Sequence, residues 1–180
     1  MNGMKRIDVM DFRTIPQFPQ TAYRVDIPLS GVERNLDLFG ADQPLVLCPD
    51  FQRGHVWTRH QQEEYVWYLL QGGEGSREIY WNSPKWENGF STGPITLVDG
   101  LQRLTAVRNF ISGELRAHGF VIGDFPAGWF NTNCMSWRFF ALRTKIEVLD
   151  WYLTLNAGGT PHTPEEIERV RKLKDESPEW

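Results

Sequence analysis

Apolar positions along the chain fall into two patterns, short uninterrupted runs and stripes at helical spacing. Runs bounded by Gly, Pro or Asp predict strands, and apolar residues recurring at i, i+3 and i+4 predict helices. Val25–Leu29, Leu45–Leu47, Ile79–Trp81, Ile95–Val98 and Arg138–Arg143 read as strands on this basis. Gly31–Phe39 reads as a helix or turn with Leu36 and Phe39 inward. Thr58 followed by Gln61 has the form of a capping box, in which hydroxyl and amide satisfy two unpaired backbone donors. Tyr65, Val66, Leu69 and Leu70 then continue a helix that Gly72-Gly73 ends. Leu101, Leu104, Val107, Phe110 and Ile111 make a second apolar stripe, closed by Gly113. Thr144 and Glu147 offer another cap, ahead of a helical face of Val148, Leu149, Tyr152 and Leu155. Thr163, Pro164 and the acidic pair Glu165/Glu166 open a last helix, to about Lys174. Residues 1–24 read as an irregular arm, 82–93 as a turn-rich excursion and 119–133 as a Gly- and aromatic-rich stretch.

Short strands interleaved with helices predict a mixed α+β fold with its polar loops gathered at helix N-termini. At 180 residues the chain suffices for one compact domain that buries roughly two-thirds of its unfolded surface. We divide it into N-terminal arm and entry elements (1–44), a main domain (45–175) and a tail (176–180). No repeat or low-complexity segment interrupts it. Trp57, Trp67, Trp81 and Trp86 are able in principle to stack on a base, but their first reading is core packing. Net charge is −4, which argues against nucleic-acid binding by bulk electrostatics, since phosphate neutralisation carries that affinity. The basic segments Arg103/Arg108/Arg116 and Arg169/Arg171/Lys172/Lys174 read as solvated helix faces. Cys48 and Cys134 follow no metal or redox spacing, and no signal or membrane-spanning pattern appears, so we expect a soluble cytoplasmic protein with no membrane partner.

The chemistry concentrates at Val98-Asp99-Gly100-Leu101-Gln102-Arg103, where a strand runs directly into a helix. Free N–H groups and aligned peptide dipoles at such a helix start favour a phosphate. Gly100 lets the backbone approach a bulky anion, and Arg103 offers a bidentate fork to phosphate oxygens. Asp99 is placed to hold Mg²⁺ or accept a proton, and Gln102 to orient a water. A purely structural reading stands beside this, with Asp99 as N-cap and Gln102 three residues on completing a capping box. Company favours the functional reading. Gln52-Arg53 follows the Leu45–Leu47 strand and supplies a second Gln-Arg pair, with His55 two residues beyond Arg53 and within reach of a phosphate. His55, His60, His118 and His162 show no i, i+4 ligand spacing, so we assign no zinc site.

Three ordered segments then carry a resemblance: Pro49-Asp50-Phe51-Gln52-Arg53-Gly54-His55-Val56-Trp57, Val98–Ala106 with the core Asp-Gly-Leu-Gln-Arg, and Leu155-Asn156-Ala157-Gly158-Gly159-Thr160-Pro161. Together they resemble the GmrS-like N-terminal domain of modification-dependent restriction systems, within the ParB/sulfiredoxin superfamily. The resemblance covers about residues 45 to 172 and implies a ParB-like fold whose Asp-Gly-Gln-Gln-Arg turn serves nucleotide binding and hydrolysis. It implies roles for Gln52 and Arg53, for Asp99, Gly100, Gln102 and Arg103, and for Asn156, Gly158, Gly159 and Thr160. The third segment also reads simply as the end of one helix and the start of the next. This chain departs from the pattern at Leu101, where the family carries Gln, which favours binding over hydrolysis. A chain ending at Trp180 also leaves no room for the nuclease domain such proteins usually carry.

The leading expectation is therefore a nucleotide-binding domain with NTP hydrolysis or phosphoryl transfer, in a bacterial or phage DNA restriction-modification setting. Asp99, Gln102 and Arg103 are its candidate catalytic residues, Mg²⁺ on Asp99 its metal and an NTP its ligand. Gln52, Arg53, His55, Gly100, Arg103, Asn156, Gly158, Gly159 and Thr160 are the candidate phosphate-binding set. DNA, a separate nuclease or another protein are the further partners, and a dimer is compatible with the sequence. A catalytically silent sensing or inhibitory module and a DNA nuclease or nickase are the alternatives.

Overall fold

The computed structural model of the chain describes residues 18–87, 90–91, 93–156 and 163–176. Its elements in chain order are β1 (Tyr23–Pro28), α1 (Val32–Gly40), β2 (Leu45–Val46), α2 (Arg59–Leu70), β3 (Glu78–Asn82), β4 (Trp86–Glu87), β5 (Phe90–Ser91), β6 (Ile95–Asp99), α3 (Leu101–Ile111), α4 (Ala127–Thr132), β7 (Cys134–Phe140), α5 (Lys145–Asn156) and α6 (Pro164–Asp175). Five strands form one sheet in the order β1-β7-β3-β6-β2, and β4-β5 form a separate two-stranded ribbon. Pairs β1/β7 and β3/β6 are antiparallel, while β7/β3 and β6/β2 are parallel. The fold is mixed α+β, as the interleaved pattern predicts.

Both edges of the sheet come from the first 46 residues. β1 pairs with β7 from Tyr23↔Phe139 to Pro28↔Cys134, and Leu29, Val32 and Leu36 just after it are buried in the main core. The entry elements are thus part of the same sheet and core as the segment that follows.

The apolar run of β6 divides between two cores, because successive strand residues face opposite sides. Ile95 and Leu97 join a large cluster with Trp81, Trp137, Phe139 and the inner faces of α1, α2 and α3. Val98 joins a smaller one with Phe51, Val148, Leu149, Tyr152 and Val170. The four tryptophans named above either lie in the large cluster or pack against it. Val170 is the one fully buried residue of α6, worth about 1.5–3 kcal/mol. Leu173 packs against the same small core, and the polar contacts of α6 add to these two apolar anchors.

Three boundaries differ from the sequence pattern. The excursion after Asn82 contains the β4-β5 ribbon, with Trp86 opposite Ser91. β7 starts at Cys134, not Arg138, because Cys134–Ser136 find partners on β1, a long-range pairing that local alternation does not reveal. α4 lies inside the aromatic-rich stretch and buries Phe130; six residues are too few to display a helical period. No described helix is long and apolar enough to cross a membrane.

Candidate functional site

The turn from β6 into α3 is shaped by a skipped residue. Tyr80 opposes Asp99 while Trp81 opposes Leu97, so Val98 has no partner on β3. Such a bulge bends the strand and re-aims the residues beside it. Gly100 then caps α3 at φ 108° and ψ 8° without any side-chain cap. A Cβ at this position would lie 2.6 Å from Ile79 Cδ1 and 3.3 Å from Ile79 Cα. Glycine is therefore demanded by both the dihedral and the closeness of β3.

The capping box considered for Asp99 and Gln102 does not form. The N-cap is Gly100, and Asp99, one residue too early, turns its carboxylate to Arg103, whose Nη2 donates to Oδ2 at 2.6 Å. Gln102 reaches away from its own helix. Its Oε1 accepts from Val56 N and Trp57 N, both at 3.0 Å, and its Nε2 donates to Gly54 O at 3.1 Å. With two donors on that oxygen its acceptor capacity is filled, so Gln102 holds a loop where a water-orienting role was expected.

Gln52 performs the reciprocal task. From the loop after β2 its Nε2 donates to Val98 O at 3.2 Å, while its buried Oε1 has no hydrogen-bond partner among the described residues. The two glutamines clasp the two loops together, each gripping the other's backbone. The motifs Gln52-Arg53 and Gln102-Arg103, far apart in sequence, thereby become one site.

α5 and α6 complete it from the other side. Arg53 Nη1 lies 3.5 Å from Glu166 Oε2, Arg169 Nη2 donates to Phe51 O at 3.2 Å, and Lys145 Nζ pairs with Asp50 at 2.6 Å. Beneath them Tyr152 meets Phe51 edge-on, with ring centroids 5.2 Å apart. Burial pushes the Tyr152 hydroxyl up to about 12; Arg53 and Arg169 oppose that shift, while Asp99 and Glu166 reinforce it. Four charged groups from three segments thus act on one buried phenol. Tyr80, opposite Asp99, is also raised, first by burial and then by Glu78. Burial raises Tyr65 strongly, opposed chiefly by Arg103.

The site retains an unsatisfied donor as well. Arg103 Nε is buried without a hydrogen-bond partner among the described residues. Buried polar atoms of this kind normally have a partner.

Of the remaining sequence candidates, His55 is exposed and makes no hydrogen bond among the described residues. Asn156 ends α5, while Gly158, Gly159 and Thr160 lie outside the described residues. Among the described residues no group of three or more His, Cys, Asp or Glu is arranged to hold a metal ion. Arg108, read as a solvated residue, is tied to Glu33 through both Nε and Nη2.

No family model matches this chain. No curated protein and no solved structure matches it either.

Glu166, Arg169 and Tyr152 are the site residues that sequence reasoning missed. Glu166 read only as one of two acidic residues in the first turn of the last helix; it is the N3 member of a capping box there and it also faces Arg53. The signal was present in the face Glu166-Arg169-Val170-Leu173, charged residues on the same stripe as the apolar ones.

Proposed function

We propose that this chain is a nucleotide-binding domain whose site is the clasped pair of loops, with the phosphates of an NTP on the α3 N-terminus between Arg53 and Arg103. One observation carries this reading: the Gln52–Val98 and Gln102–Gly54/Val56/Trp57 hydrogen bonds join two Gln-Arg pairs at one helix start. The first turn of α3, without a side-chain cap, supplies N–H donors and dipole potential for an anion.

Mg²⁺ commonly binds through one or two carboxylates plus substrate phosphates. Asp99 fits that role, since Arg103 engages its Oδ2 and Oδ1 is left for a cation whose other ligands come from the nucleotide. A bound cation would supply charge neutralisation for phosphoryl transfer. The chain's own residues do the rest: Arg53 and Arg103 orient the phosphates, and Gln102 keeps loop 54–57 in place.

The resemblance of the three segments to the GmrS-like, ParB-like domains supports a cytoplasmic restriction-modification setting, with DNA, a separate nuclease or another protein as partner. Binding without turnover is the second reading. Leu101 is buried in the main core and brings no polar group to the turn, and the Gln102 oxygen is already engaged.

Thermal-shift measurements with ATP, GTP, CTP and UTP, each with Mg²⁺, test the proposal. At least one should raise the melting temperature, and Arg103→Ala and Arg53→Ala should each abolish the rise while circular dichroism stays native. If no nucleotide shifts the wild-type protein, the reading is wrong. Nucleotide binding without phosphate release would establish the silent module.

A further inference from the structure

Each arginine of the proposed phosphate site already holds a carboxylate, and the two carboxylates have different origins. Asp99 belongs to the same turn as Arg103. Glu166 arrives from α6, an element also tied down by Val170 and Leu173, by the Arg169 contact to Phe51 and by the Lys174–Asp150 pair. We infer that Glu166 is an internal competitor for the phosphate site, a carboxylate that occupies Arg53 and is exchanged for a phosphate of the ligand. This rests on the phosphate-site reading above and adds a regulation to it.

Three observations support the exchange. The Arg53–Glu166 pair is shielded, with side chains 17% and 24% exposed, so an empty site without Glu166 would leave a largely buried guanidinium uncompensated, which is costly. Its 3.5 Å separation is longer than the 2.7–2.9 Å typical of a charge-assisted bond, so a phosphate able to dock closely makes the better partner. Finally, the helix does not need the charge. Glu166 Oε2 accepts from Thr163 N at 2.9 Å as part of a capping box, a task that Gln performs equally well.

The exchange also sets the ligand class. The ligand must displace the Glu166 carboxylate from Arg53 and still reach Arg103 and the α3 N-terminus, so a chain of linked phosphates, which brings several charges on one molecule, is favoured over a single phosphate. Release of Glu166 from Arg53 removes one tether of α6, and α6 should loosen when the site fills.

Glu166→Gln preserves the cap and removes the charge. Isothermal titration with inorganic tripolyphosphate should show roughly three- to tenfold tighter binding by this variant than by wild type, the range expected for losing a partly shielded ion pair. Glu165→Gln, an exposed neighbour, should change affinity less than about twofold, because exposed charges are screened. Inorganic phosphate should bind wild type far more weakly than tripolyphosphate. Hydrogen exchange over Pro164–Asp175 should quicken on tripolyphosphate saturation. Equal or weaker binding by Glu166→Gln, or slower exchange in α6, overturns the competitor role while wild-type binding leaves the phosphate site standing. If neither folded protein binds tripolyphosphate, the phosphate-site reading falls and this inference with it.

Discussion

Replacing Gly100 by alanine isolates how rigidly the turn is built. The position has φ 108°, a conformation costing an L-residue about 1–2 kcal/mol. The new methyl would stand 2.6 Å from Ile79 Cδ1, 3.3 Å from Ile79 Cα and 3.4 Å from Arg103 Nη2. Ile79 is fully buried on β3, so neither its side chain nor its backbone has room to retreat, and overpacking of this kind costs about 1–3 kcal/mol. The sum is about 2–5 kcal/mol, equivalent to a fall in Tm of roughly 5–15 °C for a chain of this size. Differential scanning calorimetry without ligand measures it directly. Gly113→Ala is the matched control, since Gly113 has φ 82° but a methyl added there would meet nothing within 4 Å; it carries the dihedral cost alone. A Gly100→Ala protein no less stable than Gly113→Ala would show that the wall formed by Ile79 yields, and the reasoning about the turn would be refuted.

Gln102→Ala should expose the clasp. It strips Val56 N, Trp57 N and Gly54 O of their partner and should cost about 0.5–1.5 kcal/mol, with faster amide exchange at Val56 and Trp57; unchanged protection there would refute the positioning role. Tyr152 should make the protein sensitive to alkali. Its folded pKa is raised from 10.0 to about 12, so its contribution is complete below the unfolded value. Between the two values the unfolded chain releases a proton that the folded chain keeps, and stability declines as pH rises. Tyr152→Phe should flatten that decline in urea midpoints measured across this window, and an unchanged slope would show that the hydroxyl does not titrate late.

Local chemistry made much of this fold legible from the sequence. The capping box at Thr58 and the N-cap at Thr163 form as predicted, and Glu147 accepts from Arg143 N and Thr144 N at the start of α5. These succeed because a cap is settled within four residues of chain. Apolar runs likewise marked β3 and β6, and the two Gln-Arg pairs marked the two segments that the glutamine hydrogen bonds join. The cap predicted at Asp99 failed for a reason no local pattern carries. Whether Asp99 caps a helix or pairs with Arg103 depends on a bulge in β6, and that bulge exists only in the pairing with β3. The same holds for the functional arrangement. Sequence alone determined that Gln52, Arg53, Gln102 and Arg103 are present and that each pair follows a strand. Tertiary structure decided that Gln102 grips loop 54–57, that Gln52 grips β6, and that Glu166 from the last helix occupies Arg53. Side-chain amides and charges take whichever partner the packed backbone brings within about 3 Å, and that choice is made by the assembly of sheet and helices.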